Sequence, residues 1–147
     1  MMQEVDVIAD VAHVIQLAVA PVFLLAGVGS MLSVLVNRLA RVVDRFRSLD
    51  SERSQANEPA LKVIQYEMTI LTKRARMIHW AIGLCTTCAL LICTVVATLF
   101  LSAMLGMNLS TLISVLFILA MMALVVGLLC FLHEITLATG SIIVIPR

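Results

Sequence analysis

The chain has 147 residues, 62% of them hydrophobic and only 13% charged, with a formal net charge of +1 and a mean hydropathy of +1.11. A soluble domain carries about a quarter charged residues, so this composition excludes an ordinary water-facing globule. The charges are also clustered: residues 77–133 contain none. As one helix, at about 1.5 Å per residue, that run would be more than twice the ~30 Å thickness of a bilayer core, so it must cross twice. A second uncharged run, residues 12–37, supplies a third crossing.

In chain order, residues 3–12 (QEVDVIADVA) read as a short amphipathic lead-in to a first membrane helix over about residues 14–36. A cleaved signal peptide would need a basic start, whereas Glu4, Asp6 and Asp10 make this one acidic. Pro21 directly follows the cleavage-like triplet Ala18-Val19-Ala20, so the helix is expected to be retained. Pro21 also predicts a kink, because it removes the donor to the carbonyl of Leu17. Gly27, Gly29, Ser30 and Ser33 form a small-residue patch of the kind that lets another helix approach closely in lipid.

Leu39, Val42, Val43, Phe46 and Leu49 continue at helical spacing, and Leu61, Ile64, Met68, Leu71, Ala75 and Ile78 repeat it beyond a polar stretch, residues 51–59. Two apolar stripes joined by a polar turn predict an antiparallel helical hairpin over residues 38–76. Pro59 suits the first turn of its second arm. The second span is expected over residues 77–105, with His79 and Trp80 at the interface. A turn at Gly106-Met107-Asn108 and a cap from Asn108 or Ser110 lead to the third, over residues 111–133, with a stop near Gly140. The tail, residues 141–147, should lie against the protein or the membrane surface. The expected fold class is all-α: one polytopic membrane domain over residues 1–147 with three transmembrane helices.

Orientation follows from basic residues. Nine of the ten lie between Arg38 and Arg76, against five acidic residues, for a local net charge of +4. The positive-inside rule puts this hairpin in the cytoplasm, the N-terminus outside and the C-terminus inside.

The stretch HVIQLAVAPVFLLAGVGSMLSVLVNRLARVVDRFRSLD and the later FLHEITLAT resemble an uncharacterised bacterial family of small membrane proteins, catalogued as a domain of unknown function. The resemblance runs from about residue 10 to 141. APVFLLAG and NRLARVVDRFRSL are its most specific parts. It implies a three-helix protein of the bacterial inner membrane and assigns no activity and no site residues.

On the first helix Asp6, His13, Ala20, Gly27, Val34 and Arg41 recur every seven residues, interleaved with Gln16, Phe23, Ser30, Asn37 and Asp44. Polar side chains in a membrane face protein or water, because facing lipid is costly. The stripe Asp6, His13, Gln16, Gly27, Ser30, Asn37 and Arg41 therefore lines a water-filled path in a homo-oligomer, packs against the other two helices, or joins subunits without a pore. For a path, Asp6 and Asp10 would favour cations, while Arg41 would oppose them unless Asp44 neutralises it. Arg38, Arg41, Arg45 and Arg47 form a juxtamembrane cluster able to attract anionic lipid, or merely charges that set topology. Arg41–Asp44 and Asp44–Arg47 have the spacing of surface pairs.

Cys85-Thr-Thr-Cys88 has a C-x-x-C form, but in an apolar helix these cysteines read as small hydrophobes. His79, His133 and Glu134 share one depth without metal-ligand spacing, and Glu134 should pair with an arginine such as Arg38 or Arg76. No catalytic motif, metal site or cofactor is expected. Phe46 and Tyr66 are too few aromatics for nucleic acid. The sequence thus points to a non-enzymatic, homo-oligomeric membrane protein, a channel or transport-type assembly lined by the first helix. The alternative is a scaffold or accessory subunit whose basic hairpin docks a cytoplasmic partner or anionic lipid.

Overall fold

The structure is a computed structural model that describes the backbone of residues 2–140 and the side chains of residues 11–136. The side chains of Glu4, Asp6 and Asp10, and the tail over residues 141–147, lie outside the described residues. The described chain is all-α: α1 Met2–Arg53, α2 Glu58–Leu105 and α3 Ser110–Gly140. Each helix is long and apolar enough to cross a membrane, as expected of a multi-pass membrane protein. With 52 and 48 residues, α1 and α2 extend for about 78 and 72 Å, against a bilayer core of about 30 Å. Both helices therefore carry an arm that outlasts the span.

The breaks between helices follow from local chemistry. The Leu61 N–H donates to the Asn57 carbonyl at 2.9 Å, opening α2 with Pro59 in its first turn, where a missing N–H costs nothing. After α2, Gly106 takes φ +62°, the left-handed residue that commonly ends a helix. Asn108 Oδ1 then accepts from the Ser110 N–H at 3.3 Å and from the Ser110 hydroxyl at 2.7 Å, so the cap comes from Asn108. α1 runs unbroken past Pro21, and Pro21 is buried.

Residues cluster into two compact units, and each draws on all three helices. One joins α1 up to Met31 to Cys85–Val125; the other joins Leu32–Leu84 to α3 from Val126 onward. The first buries Ala18, Pro21 and Val28 of α1, Cys85, Cys88, Ile92 and Val95 of α2, and Ala120 of α3. The second buries Leu35, Val42 and Leu49 of α1, Ile64, Leu71, Ile78 and Ala81 of α2, and Gly127 and Glu134 of α3. The nine basic residues between Arg38 and Arg76 all belong to the second unit.

One spacing governs these positions. On α1 they fall at Pro21, Val28, Leu35, Val42 and Leu49, on α2 at Ile64, Leu71, Ile78, Cys85 and Ile92, and on α3 at Ala120, Gly127 and Glu134. A repeat of seven residues keeps a single seam of a slightly overwound helix turned to its neighbours. On α2, Ala81, Cys88 and Val95 interleave to complete the alternating spacing of a packed seam.

Leu49 is 1% exposed and Val43 on the same arm is 37% exposed. Leu49→Ala should lower stability by about 2–5 kcal/mol, and Val43→Ala by under about 0.5 kcal/mol, as for surface positions. Thermal unfolding of the two variants in nanodiscs checks this. Equal losses would mean that the seam does not bear the packing.

Candidate functional site

At the C-terminal end of the α3 seam stands the one buried charge among the described residues. Glu134 is 0% exposed, in a helix otherwise free of Asp, Glu, Lys and Arg. An unpaired buried carboxylate is strongly disfavoured, and two arginines answer it. Arg74 of α2 donates from Nε and Nη2 to Oε1, at 3.2 and 3.0 Å. Arg38 of α1 brings Nη2 to 3.0 Å from Oε2 as an ion pair without hydrogen-bond alignment, so this buried oxygen accepts no hydrogen bond. The Arg38 guanidinium also lies 5.3 Å from the centre of the Phe131 ring, within cation–π range. All four residues belong to the second unit.

Seven residues further along α1, Arg45 meets Glu67 of α2, its Nε and Nη2 both 2.9 Å from Oε1. The hydrogen bond and charge of Glu67 raise the Arg45 pKa above its ordinary value. This pair is solvent-exposed. Arg38, Arg41, Arg45 and Arg74, with Val42 and Leu71 between them, line a cleft of about 380 Å³. Val42 and Leu71 are each 6% exposed and give it an apolar floor. Arg47 is exposed and is not part of the lining.

Glu134 pairs with Arg38, as expected. Its second partner is Arg74, whereas Arg76 is exposed. Arg74 lies between the seam residues Leu71 and Ile78, while two further residues turn Arg76 by about 200° away from it. Of the three arrangements open to the α1 stripe, packing within the chain is the one that its exposure removes. His13, Gln16, Gly27, Ser30, Asn37 and Arg41 are all exposed, so within the chain the stripe does not pack against α2 and α3. Its members fall one residue before or two residues after each seam position, about 100° and 160° round the helix on one side. Asp6 lies outside the described side chains. A Cβ built on Gly27 or Gly29 would meet nothing within 4 Å, so neither glycine serves a close approach within the chain.

The ion pairs among the described residues are Arg38–Glu134, Arg74–Glu134 and Arg45–Glu67; the expected Arg41–Asp44 and Asp44–Arg47 pairs are not among them. Cys85 and Cys88 are fully buried free thiols in the α2 seam, packed as small hydrophobes. His79 and His133 are exposed, and no group of three His, Cys, Asp or Glu side chains able to hold a metal occurs among the described residues. The Arg45–Glu67 pair is not visible in the spacing along either helix alone; its signal is the opposed order of charges on the two arms.

Removing one partner of a buried ion pair costs about 3–5 kcal/mol. Glu134→Gln keeps the shape and removes the charge, so it should destabilise the protein by that order. Arg76→Gln should cost under about 0.5 kcal/mol. Thermal unfolding in nanodiscs measures both, and an E134Q variant as stable as the parent would contradict the role given to the carboxylate.

Similarity to known proteins bears on most of the chain. The family described as Protein of unknown function (DUF2721) matches residues 18–144, a range that takes in α1 from residue 18, α2, α3, the arginine cleft and Gly27, Ser30, Asn37 and Arg41 of the stripe. No curated protein and no solved structure matches. The chain therefore belongs to the DUF2721 family of proteins of unknown function.

Proposed function

We propose that this protein is a non-enzymatic, homo-oligomeric assembly of the bacterial inner membrane in which the first helices of several copies line a water-filled path for a small solute or ion. The observation that carries the reading is the exposure of Gln16 and Asn37 on one side of α1. An amide left without partners in an apolar medium costs about 2–7 kcal/mol. A face bearing two amides, His13 and Ser30 is therefore better matched to other copies and to water than to lipid. Gly27 and Gly29, open on the same helix, leave room for a neighbouring α1.

The N-terminus is then outside and the basic arms lie in the cytoplasm, in line with the crowding of Lys and Arg between residues 38 and 76. The arms run antiparallel. Stepping from Arg38 to Arg45 on α1 goes with stepping back from Arg74 to Glu67 on α2, which is the register of opposed helices. A second reading, a scaffold or accessory subunit that docks a cytoplasmic partner through these arms, draws on the exposed charges of the same segment.

Purified protein in liposomes tests the first reading. Flux of a small cation or anion is expected, together with loss of most of it in Gln16→Leu and Asn37→Leu variants that still assemble. Cross-linking through Ser30→Cys should trap dimers. A monomer in nanodiscs that passes no ion would remove the channel and leave the scaffold.

A further inference from the structure

We infer that the cleft between Arg38, Arg41, Arg45 and Arg74 is a binding site for the phosphate of an anionic phospholipid headgroup. The charge around it is unbalanced. Four guanidinium groups line or border the cleft, and two carboxylates, Glu134 and Glu67, pair with three of them. That leaves two positive charges in excess, and Arg41 has no ion pair among the described residues. A phosphate diester supplies one negative charge and oxygens that accept paired N–H donors from a planar guanidinium, the geometry arginine favours over lysine.

Glu134 gives the site its shape. It is buried behind the cleft and holds Arg74 by two hydrogen bonds and Arg38 by an ion pair, so both guanidiniums are oriented before any ligand arrives. Phe131 flanks Arg38 on a further side. Arg38 and Arg74 remain 30% and 22% exposed, so each keeps N–H groups for an incoming anion. Arg41, exposed on the next turn of α1, closes on it from the open side.

Depth selects a lipid over a soluble phosphate. Arg38 is the first charged residue after the uncharged run of α1, and Arg74 lies just before the uncharged run of α2. The exposed Trp80, six residues beyond Arg74, is the residue type that settles at headgroup level. Glu134 is a positioning residue in this site and does not touch the ligand.

The test is titration of phosphatidylglycerol, and separately of phosphatidylcholine, into the full-length detergent-purified protein, with bound lipid counted by native mass spectrometry. Phosphatidylglycerol should bind more tightly than phosphatidylcholine. Arg41→Ala should weaken it about five-fold, the equivalent of roughly 1 kcal/mol per interfacial charge, and R41A with R45A about ten-fold or more. Arg47→Ala with Arg53→Ala removes the same charge outside the cleft and should leave binding within about two-fold. Equal weakening by both pairs would reduce the effect to general electrostatics and overturn the site. So would an unchanged affinity in the R41A protein, which has no buried contact to lose. Displacement of phosphatidylglycerol by inorganic phosphate at similar concentration would overturn the lipid assignment.

Discussion

A carboxylate taken fully out of solvent has to be met by cations, and Glu134 is met by one from each of the other helices. The consequence is structural before it is functional. α3 carries a single charge in an otherwise apolar sequence, so its rotation in the second unit is pinned by the side on which Arg38 and Arg74 stand. The same contact draws α1 and α2 together where their uncharged runs end. In an apolar medium, packing alone discriminates weakly between helix faces, since lipid tails are as apolar as leucine; a buried charge discriminates strongly.

The seven-residue seam and the ion pairs divide the work. Apart from Glu134, the seam holds leucine, isoleucine, valine, alanine, proline, glycine and two cysteines, which pack but carry no directional information. Arg38–Glu134–Arg74 and Arg45–Glu67 supply the direction, because each joins residues whose registers are consistent only with one alignment of α1 and α2. Polar residues that contribute to neither, above all Gln16 and Asn37, are left on the outer side of α1. A protein of three helices that turns amides outward has a surface suited to its own copies, and this is where structure and the proposed assembly meet.

The two proposals rest on different parts of the molecule. The assembly reading depends on the outer face of α1 within and beside the span, whereas the headgroup site depends on arginines grouped about the inner seam at the start of the arms. Arg41 belongs to both, being a member of the outer stripe and a wall of the cleft. A bound anionic lipid there would neutralise the charge that otherwise opposes a cation path, which links the two readings through one residue without making either depend on the other.

The three helices, a break within the polar stretch 51–59, a turn at residues 106–108, and the pairing of Glu134 with an arginine such as Arg38 were legible from the order of residues alone. Uncharged runs longer than a bilayer must form helices because every backbone group has to be satisfied internally, and Asn, Gly and Pro act on the backbone within a few residues. What the folded chain decided was rotation. The apolar stripe through Leu71, Ala75 and Ile78 puts Arg74 nearer the packed face than Arg76, but only the fold shows that α3 brings Glu134 to that face. For the same reason the small and polar stripe of α1 could be seen in the sequence, yet whether it faced its own helices or the outside could not. In water, hydrophobicity reports which face is buried; across a membrane both faces are apolar, and the answer comes from side-chain fit and from where the buried charge finds its partners.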